Sequence, residues 1–368
     1  MAAVRYVLDC FWTPKVWLPP NVTWEDLVPN EKIQYTDHTH LYYPIPMAMV
    51  VLAIRYILET YVYSPFGVSL GIKSSKPKRA PQYDELLEKA YQENSKMSHK
   101  EVMQIAKQTN LNERQIERWL RLRRSQGKPS TLVKFCENGW KCTYYIFSFT
   151  YGLWCLWDKL WLWNIDECWT NYPHQSIDND VWWYYMISLS FYWSLTASQF
   201  WDVKRKDFWQ MFIHHIATIA LLSFSWVCNL CRIGTLVLLV HDCADIFLEG
   251  AKMAKYAKYQ KLCDAIFGVF TLLWLITRIG IYPVWILYST TIKAPQIVNT
   301  MFPAYYIFNG LLLLLLLLHL FWTHLILKIA YIALMSGQME GDIRSSSSDD
   351  LSDASTNSAN LAGKTKTN

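Results

Sequence analysis

The chain of 368 residues is 52% hydrophobic and 16% aromatic but only 18% charged, with nineteen tryptophans and a net charge of +5. That is more aromatic and less charged than average globular composition, and it points to a membrane protein. The modest net charge says less than its distribution does, and nine cysteines without close spacing exclude a small secreted disulfide framework.

The start of the chain lacks the charged, apolar, small-residue pattern of a signal peptide; the first long apolar segment begins near residue 41. Before it, Asn21-Val22-Thr23 forms a glycosylation acceptor. A bilayer span needs roughly 20 apolar residues. Runs of that kind are predicted at about 41–63, 140–160, 181–201, 208–228, 233–251, 262–289 and 303–333, seven spans in all. Some carry charge: Arg55 in the first, Arg278 in the sixth, and His241, Asp242, Asp245 and Glu249 in the fifth. Intramembrane charges of this sort face a protein interior or a wet cavity.

Lysine and arginine are dense in 73–134, at 204–206 and in 252–261, and scarce in 164–180, 229–232 and 290–302. The two sets alternate along the chain, which predicts a luminal N-terminus and a cytosolic C-terminus and puts Asn21 on the luminal side. Cys228 and Cys231 form one CxxC beside a luminal turn, without the partners that a redox or metal role needs. The tail from residue 338 is Ser-rich, polar and locally acidic, a composition that stays disordered. Within it Ser346 and Ser347 each precede an Asp by three residues, the pattern that acidophilic kinases favour.

Between the first two spans lies a small helical unit. Ser98 with Glu101, and Asn112 with Gln115, make two capping boxes, each opening a helix, while the residues upstream give at most a weak first helix. The second capped helix carries Trp119-Leu120-Arg121-Leu122-Arg123-Arg124, which resembles the W-F-x-N-R-R core of a homeodomain recognition helix. Leu122 stands where that family has its adenine-reading asparagine, so sequence-specific DNA binding is not expected. Arg118, Arg121, Arg123 and Arg124 leave phosphate contact open, but a unit tied to the membrane at both ends reads best as a basic cytosolic module.

The fourth span holds adjacent histidines, His214 and His215, about 9 Å from its cytosolic end. The fifth runs the other way, so Asp245 lies at a matching depth. His241, Asp245 and Glu249 share one stripe, with Asp242 beside them. A carboxylate near an imidazole would fix its tautomer and make the ring a general base or a nucleophile. The loop Asp202-Val203-Lys204-Arg205-Lys206-Asp207 precedes the pair, and its cationic rim of Lys204, Arg205 and Lys206 suits a phosphate-bearing substrate. A single buried histidine is best read as a packing residue, and His319 and His324 in the last span are read so.

Residues 190–208, 214–226 and 232–256 resemble the Lag motif of ceramide synthases, and the match covers most of 131–333, the TLC domain of that family. A truncated homeodomain-like insert and a glycosylated luminal N-terminus are features of its animal members. The resemblance implies an endoplasmic-reticulum enzyme that transfers a fatty acyl group from acyl-CoA to the amine of a sphingoid base, with no cofactor beyond the acyl-CoA co-substrate. It implies roles for His214, His215, Asp242 and Asp245; the positions of His241, Glu249, Asp202 and Asp207 on the stripe and the loop make them candidate supporting residues. It also implies an all-α polytopic fold in which six helices form a barrel around an apolar tunnel and the first span lies outside. The expected organisation is a luminal segment 1–40, a first span 41–66, the insert 77–128, the TLC domain 131–333 and a tail 334–368.

Neither an acyl-imidazole route nor a general-base route needs a metal, and the sequence does not choose between them. The histidine boxes of a di-iron desaturase are missing, and a His, His, Asp zinc set has no specific spacing here. A non-enzymatic lipid transporter or sensor is the alternative, against which the HH and HDxxD constellation argues. Whether copies pair as homo- or hetero-dimers is not legible. Acyl-chain preference, attributed in the family to the last luminal loop, here 290–302, is not legible either.

Overall fold

The computed structural model describes residues 6, 10–29, 33–73, 84–94, 97–109, 111–126, 129–203, 206–298 and 301–336. Lys204, Arg205, Ser346 and Ser347 lie outside them, as does the tail from residue 337. Every regular element among the described residues is helical. Long helices run over α1 (His38–Ser69), α5 (Thr131–Leu156), α6 (Asn179–Ser198), α7 (Phe208–Val227), α8 (Cys231–Tyr256), α9 (Gln260–Val298) and α10 (Pro303–Ser336). Three shorter helices, α2 (Glu85–Glu93), α3 (His99–Gln108) and α4 (Glu113–Gln126), form the insert.

By length and composition α1, α7, α9 and α10 are apolar enough to cross a membrane. Helices α5, α6 and α8 have spanning length too, at 26, 20 and 26 residues, but are more polar. Their polar side chains are hidden: Glu137 and Ser148 on α5, Ser188 and Ser194 on α6, His241, Asp242 and Glu249 on α8 are all buried. A helix enclosed by other helices can carry such groups where one facing lipid cannot.

The enclosure is a ring. Helix α5 packs on α6, α6 on α7, α7 on α10, α10 on α9, α9 on α8, and α8 back on α5. Helix α1 stands outside, against α6 and α5. Small residues permit the tight crossings: a Cβ on Gly234 of α8 would collide with the Tyr185 hydroxyl of α6, and one on Gly139 of α5 with the Tyr63 ring of α1. Helix α9 widens into π-helical turns over Leu275–Leu287, around Pro283. Proline has no N–H to give, and wider turns accommodate the break in the hydrogen-bond ladder.

The N-terminal segment folds across one end of the ring. Trp17 is buried against Phe224, the Trp226 indole donates to the Asp37 carbonyl at 3.0 Å, and the Ile177 N–H donates to the Gln34 carbonyl at 2.8 Å. Asn21 is exposed on this cap with φ +67°.

At the opposite end, Leu87, Val102, Ile116, Trp119 and Leu120 make the insert's own small core. Both capping boxes form, Ser98 with Glu101 and Asn112 with Gln115. The upstream residues do better than the weak helix expected of them. Asp84 caps α2 through the Leu86 and Leu87 N–H groups, and Glu88 receives the Arg123 guanidinium at 2.6 Å. Arg123 beside Glu88 holds that carboxyl below the usual range, and the Ser98 N–H does the same for Glu101.

Candidate active site

Two cavities meet inside the ring. The one nearer the insert is walled by charge, including Glu137, Lys141, Asp245, Glu249, Lys252 and Arg278. The one nearer the cap is walled by hydrocarbon, from Leu221, Leu222, Val237 and Leu238 to Phe308 and Leu315. Tyr192, His214 and His241 line both. The apolar slot follows α10 from Tyr305 to Leu315, about 15 Å of helix. Its hydroxyls are satisfied internally: Thr218 donates to the His214 carbonyl, Ser225 to Leu222 and Thr290 to Leu287.

Consecutive residues on a helix point about 100° apart, so the two histidines lead different lives. His214 lies at the junction, edge-on to Trp322 with ring centroids 5.5 Å apart, and its Nδ1 is buried without a hydrogen-bond partner. His215 is turned toward α6, where its Nδ1 lies 3.0 Å from Gln199 Oε1. The Gln199 amide nitrogen donates to the Phe208 carbonyl at 2.8 Å, which leaves Oε1 as the acceptor. The proton of His215 is therefore on Nδ1, and Nε2 keeps its lone pair.

On α8 the predicted stripe of His241, Asp245 and Glu249 does face the charged chamber. Its groups pair elsewhere than with the histidines of α7. Arg278 of α9 donates to Asp245 Oδ2 at 3.0 Å and to the His241 carbonyl at 2.5 Å, with its guanidinium 4.8 Å from the Trp274 ring centre. His241 Nδ1 donates to the Val237 carbonyl at 2.6 Å, so its Nε2 accepts from His319 Nε2 at 3.1 Å. Asp242 points off the stripe and accepts from Ser148 of α5 at 2.6 Å. Among the described residues neither Asp242 nor Asp245 hydrogen-bonds to His214 or His215. The carboxylate–imidazole contact that spacing suggested is replaced by Gln199 on one ring and open space at the other.

At the chamber mouth, Asp202 takes a two-pronged bond from Arg55 of α1, at 2.6 and 3.0 Å, and a third from Ser198. Asp207 is buried and accepts from the Trp322 indole at 3.2 Å. Lys206 is exposed. Among the described residues no three His, Cys, Asp or Glu side chains converge to hold a metal ion.

Sequence reasoning overlooked several of these partners. Arg278 was visible as an arginine in an apolar span, but nothing paired it with Asp245. His319, a packing residue by sequence, is fully buried among His241, Trp274 and Tyr282 and lines neither cavity. Gln199 and Ser148 are short neutral residues that carried no signal at all. The arrangement suits joining two unlike molecules: a long hydrocarbon chain in the slot, a polar reactant in the chamber, and an imidazole between.

Comparison with known proteins gives the family. Residues 134–328 match the TLC domain family and residues 78–129 match the homeodomain family. The chain is similar to ceramide synthase 5 of Homo sapiens, 41% identical over 91% of this chain and 85% of that protein. It is similar to ceramide synthase 3 of Mus musculus, 39% identical over 91% of this chain and 87% of the relative. Ceramide synthase hyl-1 of Caenorhabditis elegans is 32% identical over 92% and 84%. With relatives this similar along nearly its whole length, the chain belongs to the ceramide synthase family.

Proposed function

We propose that this protein makes ceramide or dihydroceramide by transferring an acyl group from acyl-CoA to the amine of a sphingoid base, with His214 as the group that handles the acyl carbon. The observation that carries this reading is the position of His214, at the one boundary where the apolar slot and the charged chamber share a wall. The acyl chain lies in the slot, and its thioester carbon rests against His214. A ring nitrogen attacks that carbon, the C–S bond breaks, and CoA leaves as a thiolate that takes up a proton. The sphingoid amine gives a proton to His215 and attacks; the new C–N bond forms as the bond to imidazole breaks. His215 suits the base role because Gln199 fixes its proton on Nδ1 and leaves Nε2 open. The route without a covalent intermediate keeps the same slot and the same base. Asp242 and Asp245 act through neighbours, holding α5 through Ser148 and α9 through Arg278.

In this reading the insert side faces the cytosol across the endoplasmic-reticulum membrane and the cap, with Asn21, faces the lumen, as the lysine and arginine distribution suggests, which brings acyl-CoA to the charged chamber. The exposed Lys206, with Lys204 and Arg205, supplies a cationic rim for its phosphates. The test is purified protein given sphinganine and a series of acyl-CoAs, with products read by mass beside a folded His214→Ala/His215→Ala variant. Ceramide from the native chain alone supports the reading. Equal product from both makes the histidines structural. Lipid bound without product from either points to a lipid transporter.

A further inference from the structure

The charged chamber is unusual in how its charges are spent. Lys141 is held by Glu137 at 2.6 Å, Arg278 by Asp245 at 3.0 Å and Lys252 by Glu249 at 2.7 Å. Asp202, the fourth carboxylate in the wall, is taken by Arg55 from outside it. Each cation lining the chamber is thus already neutralised by a carboxylate. Among the carboxylates of the described wall, Glu249 has a buried oxygen left over: it is 4% exposed and its Oε1 accepts from Lys252, but its Oε2 is buried with no hydrogen-bond partner. A carboxylate oxygen shut away from water without a donor is costly, and it becomes favourable when a cationic N–H reaches it.

We propose that Glu249 is the subsite for the ammonium group of the acceptor, a long-chain amino alcohol, which completes the coordination of Oε2 on entering the chamber. The inference rests on the acyltransferase reading for the identity of that amine. Glu249 is one helical turn beyond Asp245 on α8, about 6 Å further toward the insert. It lines the same chamber as His214 and His215. An ammonium held there is within a short slide of the acyl carbon and of the His215 base. The ammonium adds the donor that Lys252 does not supply to Oε2.

The experiment measures binding as well as turnover. Purified full-length protein, native and as Glu249→Gln, Glu249→Asp and Lys252→Met, is titrated with sphinganine and with an amine-free long-chain diol of equal length. Sphinganine KM is measured alongside at saturating acyl-CoA, and thermal unfolding confirms that each variant is folded. The native chain is expected to prefer sphinganine over the diol. Glu249→Gln loses that preference, with sphinganine affinity down roughly ten- to a hundred-fold and KM for acyl-CoA unchanged. Glu249→Asp restores part of it, and Lys252→Met keeps it, since the carboxylate remains. Unchanged preference in Glu249→Gln overturns the proposal, as does equal loss in Glu249→Gln and Lys252→Met, which would make the pair structural. A Glu249-dependent preference in a protein that forms no ceramide would uphold the subsite and defeat the acyltransferase reading instead.

Discussion

The slot and the chamber are built from the same ring of helices, yet they solve opposite problems. The slot offers water little: the hydroxyls of Thr218, Ser225 and Thr290 donate to carbonyls of their own helices, and those of Tyr172 and Tyr305 to the Cys228 and Thr291 carbonyls. The chamber holds charge inside a membrane protein by pairing every cation with a carboxylate from the same or a neighbouring helix. The difference teaches where chemistry can reside. His214 is placed at the seam, where a reacting centre can be desolvated on one side and reach charged groups on the other.

The sharpest way to break that contrast is to remove the seam. His214→Ala is expected to lower ceramide formation by about a thousand-fold or more with thermal stability little changed, measured as initial rate by product mass. His215→Ala should cost less, because a base lost is commonly worth roughly a hundred-fold or somewhat more. Next comes the chamber's charge balance. Arg278→Met leaves the half-buried Asp245 without its cation and is expected to cost about 1–3 kcal/mol, seen as a lower unfolding temperature in detergent. Adding Asp245→Asn should recover most of that loss; if it does not, the ion pair is not what Arg278 contributes.

These partners also mark what could be read from sequence. The ring's spanning helices were legible because apolar runs of spanning length are a strong local signal. The insert's two capped helices were legible from Ser98 with Glu101 and Asn112 with Gln115. The stripe on α8 and the depth of the histidines followed from helical rise alone. Pairings across helices were not legible. Asp242 with Ser148 depends on α8 closing the ring against α5, and Asp245 with Arg278 and His215 with Gln199 depend on how each helix is rotated against its neighbour. The strength of α2 was missed for the same reason, since Arg123 secures it from 35 residues away.

Smaller effects sharpen the comparison further. Gln199→Leu frees the His215 ring to choose its tautomer and is expected to slow turnover about ten- to a hundred-fold without altering stability much. Leu222→Trp should obstruct the slot about 12 Å below His214. Its product profile, read with mixed acyl-CoAs, is expected to move toward shorter chains by about tenfold in ratio, while sphinganine KM stays put.

The smallest effect lies outside both cavities. Glu88 and Glu101 titrate below their unfolded range in the folded insert, so their stabilisation is present above the unfolded value of about 4.3 and is lost as pH falls through the lower folded values. Amide exchange in the full chain, corrected for intrinsic rates, should show the insert loosening below about pH 4. Glu88→Gln should flatten that dependence.

The central claim is that the acyl group is handled by His214 where the two cavities meet. The most direct test is to incubate the purified protein with acyl-CoA and no sphingoid base, then map acyl mass onto the segment 208–227. The account expects an adduct in the native chain and in His215→Ala that is lost in His214→Ala. Ceramide made at the native rate by His214→Ala would contradict it.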